Sequence, residues 1–199
     1  MRKPNFSTGF AASPFEARRG FADIGGMSRI LIAPYVALAD AVRVHKPSHV
    51  LSVLSDPVVP TPKGVAPHCH LCISVDDIVE PTETFVVPAR NHIAEILAFG
   101  RGWNQRQPFL VHCWAGISRS TAAAFILLND IHGPGYEEVI ARGLRFHAPH
   151  AMPNRLMVRH ADELMNRAGR MIRAVEAMSE SNPATQGDVV GLPVSLEDL

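Results

Sequence analysis

Apolar positions in this chain fall into short continuous runs that alternate with longer striped stretches. Residues 29–33 (Arg-Ile-Leu-Ile-Ala) form the first run and Pro34 closes it; 49–54, 68–75 and 109–112 form three more. Runs this short, bounded by proline and polar residues, read as buried strands. Between the first two, 36–45 places Leu38, Ala41, Val42 and His45 on one face of a short helix that Lys46-Pro47-Ser48 ends. Prolines at 57, 60, 62 and 67 make 56–67 a loop in extended pieces. A helix is expected within 84–105, with Pro88 in its first turn and Ile93, Ile96, Leu97 and Gly100 on one face. The stretch 118–132 is apolar nearly all round, the pattern of a central buried helix, and Gly133-Pro134-Gly135 stops it.

Two more helical stripes follow. Residues 136–144 turn Tyr136, Val139, Ile140 and Leu144 inward, and Asn154 caps a long helix striped by Met157, Ala161, Leu164, Ala168, Met171 and Val175. Strands alternating with helices predict an α/β single domain. Its core is a mostly parallel sheet of about four to five strands, flanked by helices on both faces. The periodic region is 27–178; 1–26 reads as a flexible N-terminal arm and 179–199 as a disordered C-terminal tail.

The junction between the fourth strand and the buried helix carries the chemistry. It reads His112-Cys113-Trp114-Ala115-Gly116-Ile117-Ser118-Arg119-Ser120. A tight loop there turns backbone N–H groups of 114–119 toward a common centre at a helix N-terminus, which makes an anion site. Helix N-termini and nearby cations favour the thiolate form of cysteine, the nucleophilic form. The planar fork of Arg119 matches two phosphate oxygens. Attack by Cys113 on a bound phosphate would give a phospho-cysteine intermediate that water hydrolyses, with the Ser120 hydroxyl stabilising the sulfur as it leaves. Gly116 supplies the backbone freedom that crowding round an anion demands.

His112-Cys113-x-x-Gly116-x-x-Arg119-Ser120 resembles the signature of the cysteine-dependent protein tyrosine phosphatases, and the form of 115–120 is most similar to the dual-specificity branch. The resemblance spans roughly 27–178 and implies a phosphatase fold, Cys113 as nucleophile, Arg119 as phosphate ligand and an upstream aspartate as general acid. In a parallel sheet the ligand lies outside the carboxyl ends of the strands. The pair that follows the third strand, Asp76-Asp77, therefore faces the same pocket as Cys113. Asp77 is the preferred acid, because Ile78 and Pro81 behind it form the loop body; Asp76 is the reserve. The element from Pro149 to Asn154 resembles the one that packs the last helix in dual-specificity phosphatases.

Composition narrows the field. Nineteen basic residues balance nineteen acidic ones in 199, so net charge points to neither nucleic acid nor membrane as a partner. No apolar run approaches the ~20 residues of a membrane span. Three cysteines, one of them a candidate nucleophile, suit a reducing cytoplasm. The cluster His68-Cys69-His70-Leu71-Cys72 invites a metal, but strand alternation sends Cys69 away from the others, so no metal and no cofactor are expected. Cys69 or Cys72 on a neighbouring strand could shield Cys113 through a reversible disulfide.

The expected partner is a phosphorylated protein or a small phosphomonoester. Phosphotyrosine is favoured, with phosphoserine and phosphothreonine as further substrates. Phosphoinositide phosphatases of the resembled superfamily place basic residues in this loop, so the resemblance, with no lysine between Cys113 and Arg119, implies a substrate other than a lipid; Trp114 is expected to pack under the loop rather than stack on a substrate ring. Two rival readings are a catalytically silent phosphate-binding module and a rhodanese-like sulfur transferase.

Overall fold

The computed structural model describes residues 28–55, 59–80 and 83–199; the arm assigned to 1–26 lies outside them. Five strands form one sheet: β1 (Arg29–Pro34), β2 (His49–Leu54), β3 (His70–Ser74), β4 (Phe109–Cys113) and β5 (Val190–Pro193). Their order is β3-β2-β4-β1-β5. The first four strands run parallel, and β5 pairs antiparallel with β1. The helices are α1 (Leu38–His45), α2 (Arg90–Arg101), α3 (Arg119–His132), α4 (Glu137–His147), α5 (Arg155–Leu164) and α6 (Arg170–Glu176).

Strand alternation explains the layers. Ile30, Ile32, Leu51, Val53, Phe109 and Val111 point to the face covered by α2 to α6, where α3 runs nearly fully buried through the middle. Leu31, Ala33, Val50 and Leu110 point to the other face, which α1 covers with Leu38, Ala41 and Val42. The expected α/β domain is therefore present, with its helices unequally shared between the faces.

Three expectations are corrected. The long helix after Asn154 is two helices. The Asp162 carboxylate accepts the Gly169 and Met171 N–H groups at 2.7 and 2.9 Å, and Asn166 and Ala168 take left-handed backbone at φ 53° and 51°. The break shifts the stripe, so Ala174 is buried while Ala168 is exposed. Its partner is a buried ion cluster: Arg167 turns inward to the Asn129 carbonyl at 2.8 Å and to Glu137 at 3.5 Å, and Arg170 joins at 3.1 Å. Tyr136 is exposed, because it caps α4 rather than lying on its inner face.

Residues 179–199 are not a disordered tail. They run past the loop at 149–153, with the Asn182 N–H donating to the Pro149 carbonyl at 2.9 Å, and then form β5. Leu192 is fully buried there, and His132 lies 2.7 Å from the Val194 carbonyl. The fold thus extends beyond 178. A segment poor in apolar residues is held by backbone pairing to an open sheet edge, which hydrophobic periodicity does not register.

Candidate active site

β4 delivers Cys113, 1% exposed, into a loop at 114–118 that ends on the N-terminus of α3. The orientation of this loop follows from what holds its carbonyls. The Trp114 carbonyl accepts the Tyr35 N–H at 3.1 Å, Ala115 the Gly187 N–H at 2.8 Å and Ile117 the Met152 N–H at 2.9 Å. The Ser118 carbonyl accepts Ala122 at 2.9 Å and Asn154 at 3.3 Å. The Gly116 carbonyl faces the imidazole of His150. With carbonyls tied outward, the amides of the same peptide units turn toward the centre, where the Gly116 N–H donates to the Cys113 sulfur at 3.2 Å. Gly116 adopts φ 73°, and a Cβ on it would lie 2.8 Å from the backbone nitrogen of Pro34. Only glycine fits that approach without moving β1.

On the other side of the sulfur, Ser120 Oγ lies at 3.1 Å. Arg119 is 4% exposed. Its Nη1 donates to the Val75 carbonyl at 2.9 Å and to Ser55 Oγ at 3.3 Å, and its Nε is 3.8 Å from Asp77 Oδ2. A buried guanidinium fixed at one end by neutral acceptors presents its remaining N–H groups to an anion.

The ends of β3 and β4 meet as the parallel sheet requires. Asp77 Oδ1 accepts Ser118 Oγ at 2.6 Å and Asn154 Nδ2 at 3.0 Å, so Asp77 stands against the loop at 114–118. Asp76 instead joins a turn with Val86: its N–H donates to the Val86 carbonyl and its carboxylate accepts the Val86 N–H, both at 2.8 Å. Hydrogen bonds from Ser55 and Val86, with the field of Arg119, hold Asp76 below the usual aspartate range despite some desolvation. Of the pair, Asp77 is the one that contacts Ser118 and Arg119.

Behind Cys113 a polar chain crosses three strands. His112 Nε2 is 2.6 Å from Ser52 Oγ, and Ser52 is 2.8 Å from His70 Nε2, which lies 3.4 Å from the Cys72 sulfur. Burial, with the field of His70, pushes His112 down to about 4, so it is neutral at pH 7. Among the described residues no group of three or more His, Cys, Asp or Glu is arranged to hold a metal ion.

The disulfide expectation is corrected, because β2 separates β3 from β4. Cys72 pairs with Ser52, which pairs with His112. Strands two apart lie roughly 9–10 Å from each other, beyond the ~7 Å Cα reach of a disulfide. Trp114 is also corrected: it is 50% exposed and meets Tyr35 edge-on with centroids 4.9 Å apart, at the rim rather than beneath the loop. Beside the site a cavity of about 630 Å³ is bounded by Asp77, Ile117, Ser118, Met152, Asn154 and Arg155.

The site also recruits residues that sequence reading left out of the chemistry. Ser55 follows β2 and was reachable by the same strand-end argument that found Asp77. Asn154 was read as a helix cap, and it does accept the Leu156 and Met157 N–H groups, each at 3.1 Å; its other end holds Asp77. His150 and Gly187 carried no sequence signal.

No family model matches the chain. Over 136 residues it is 29% identical to dual specificity protein phosphatase 15 of Mus musculus, covering 65% of this chain and 53% of the relative; the Rattus norvegicus protein matches equally. The chain thus spans about half the length of the curated relatives it matches. Its fold is similar to a crystal structure of DUSP15, with TM-score 0.55 and 22% identity over 79% of this chain and 97% of that one. The Yvh1 phosphatase domain from Chaetomium thermophilum matches with TM-score 0.50 and 23% identity, over 74% and 96%. The chain is thus similar in sequence to a dual-specificity protein phosphatase over about two thirds of its length and shares that protein's fold.

Proposed function

We propose that the chain is a phosphomonoester hydrolase acting on phosphotyrosine, and on phosphoserine and phosphothreonine, through a phospho-cysteine intermediate. The observation that carries this reading is the convergence on one buried sulfur. Gly116 N–H and Ser120 Oγ approach Cys113 at 3.2 and 3.1 Å, with the buried guanidinium of Arg119 in the same loop. The inward amides of 114–119 and the Arg119 fork bind the phosphate oxygens.

The Cys113 thiolate attacks phosphorus, the ester O–P bond breaks, and the leaving oxygen takes a proton from Asp77. A water then attacks the phospho-cysteine and gives a proton back to the Asp77 carboxylate. The S–P bond breaks as Ser120 donates to the departing sulfur, and inorganic phosphate leaves. No metal or cofactor enters this sequence.

The rim pair Trp114 and Tyr35 offers aromatic surface to a phosphotyrosine ring. The substrate is a phosphorylated protein or a small phosphomonoester, and the three unpaired cysteines fit action in the cytoplasm.

The test is phosphate release from p-nitrophenyl phosphate in the presence of chelator, by wild type beside Cys113→Ser. Release lost in the variant supports the reading. Release retained by the variant overturns it. No release from either protein favours the phosphate-binding module, or the sulfur transferase if thiosulfate sulfur is transferred instead.

A further inference from the structure

Of the four hydrogen-bonded outward carbonyls in the catalytic loop, three are held by elements next to it in the sheet or soon after it in the chain. The fourth, Ala115, is held by Gly187, from the segment beyond α6. The peptide group concerned is the one between Ala115 and Gly116. Its carbonyl accepts the Gly187 N–H at 2.8 Å, and its N–H donates to the Cys113 sulfur at 3.2 Å. One planar unit therefore links Gly187 to the nucleophile. If this peptide turned over, its carbonyl oxygen would face the thiolate and the bound anion, and a donor to both would be lost.

Gly187 is buried and packed for this contact. A Cβ built on it would come 2.4 Å from His150 Nε2 and 3.0 Å from the Gly116 carbonyl oxygen. His150 is 7% exposed, and its ring is wedged between Gly187 and the Gly116 carbonyl. The segment is anchored on both sides of the contact. Asn182 bonds Pro149 at 2.9 Å, and β5 pairs with β1 from Val190.

We infer that Gly187 is a positioning residue for catalysis: its N–H fixes the 115–116 peptide with the amide toward Cys113, so the segment 182–193 is part of the active-site architecture. Hydrogen bonds in series polarise one another, so the Gly187 contact also strengthens the donor that Gly116 offers to the sulfur. The inference rests on the phosphatase reading. Wild-type activity lost in Cys113→Ser must be established first, so failure there is distinct from failure here.

The test compares two double variants. Gly187→Ala with His150→Ala removes the imidazole that a new Cβ would meet and keeps the N–H. Gly187→Pro with His150→Ala differs in lacking the donor. The donor-less variant is expected to lose about tenfold in kcat on p-nitrophenyl phosphate and about tenfold in orthovanadate affinity relative to the alanine pair, the size of one hydrogen bond. Its Cys113 should also react several-fold more slowly with iodoacetamide at pH 6.5, a readout that lost stability alone does not move while both proteins remain folded. Equal kcat, vanadate affinity and alkylation rate in the two would overturn the inference. Should the proline variant not fold, amide hydrogen exchange in the wild type decides. A Gly187 amide that is protected, and more so with vanadate bound, supports the contact; exchange at the rate of an open amide refutes it.

Discussion

Asn154 joins two functions in one buried side chain, which makes its substitution informative. Its Oδ1 caps α5 through the Leu156 and Met157 N–H groups, and its Nδ2 donates to Asp77 Oδ1 at 3.0 Å and to the Ile78 carbonyl at 3.2 Å. Asn154→Ala removes the cap, costing about 1 kcal/mol, and the two donations, about 1 kcal/mol together because Asp77 remains partly solvated. The expected loss of about 2 kcal/mol lowers the melting temperature by roughly 4–8 °C for a domain of this size.

The catalytic effect should depend on the leaving group. p-Nitrophenolate departs without help, whereas the phenol of phenyl phosphate, with a tyrosine-like pKa of about 10, needs a proton, which the proposed mechanism takes from Asp77. Turnover of phenyl phosphate should fall about tenfold while p-nitrophenyl phosphate changes about twofold or less. Asn154→Asp separates the two roles. It keeps an acceptor for the α5 cap but removes the Nδ2 donor and sets a second carboxylate against Asp77. In an Asp77→Asn background, Asn154→Ala should add no further leaving-group effect. An Asn154→Ala protein that melts lower yet keeps the wild-type ratio of the two rates would show that Asn154 caps the helix and nothing more.

Three other substitutions test separate parts of the argument. Glu137→Gln leaves Arg167, 5% exposed, without its charge partner in the interior, and urea denaturation should show a loss of about 3 kcal/mol; a change below about 1 kcal/mol would mean that Arg167 is content with the Asn129 carbonyl. His112 is held at about 4 while an unfolded histidine titrates near 6.5, so the unfolded chain binds the extra proton between these values and stability falls as pH drops through that window, by up to ~3 kcal/mol. Denaturation curves at pH 7 and pH 4.5 should diverge in wild type and less in His112→Gln; the same pH slope in both would refute the assignment. Trp114→Ala should raise KM for phenyl phosphate about threefold to tenfold and leave KM for an alkyl phosphate nearly unchanged, and an equal rise for both would remove the rim from substrate recognition.

What was legible in the sequence was local. Period and punctuation located the four parallel strands and the buried α3, because these elements bury most of their side chains and the pattern records burial. The candidate loop was legible because its cysteine, glycine, arginine and serine fall within nine consecutive residues and need no distant partner to be recognised. That Asp77 lies beside Ser118 followed from the rule that parallel strand ends share a pocket, and the structure pairs Asp76 with Val86.

Tertiary structure decided what depends on backbone groups and on strand order. β5 contains two glycine-or-proline positions among four residues and joins the sheet by backbone hydrogen bonds that any sequence can make. The break between α5 and α6 arises because Asp162 finds the Gly169 and Met171 amides and Arg167 finds Glu137, encounters that no single-helix pattern encodes. Strand order placed β2 between Cys72 and Cys113 and so separated thiols that sequence proximity to neighbouring strands had brought together. The sequence by itself determined which side chains are candidates for the chemistry; the fold determined which peptide groups hold them, because side-chain identity is written along the chain whereas a backbone amide is the same at every position and acquires a role only from where the chain returns.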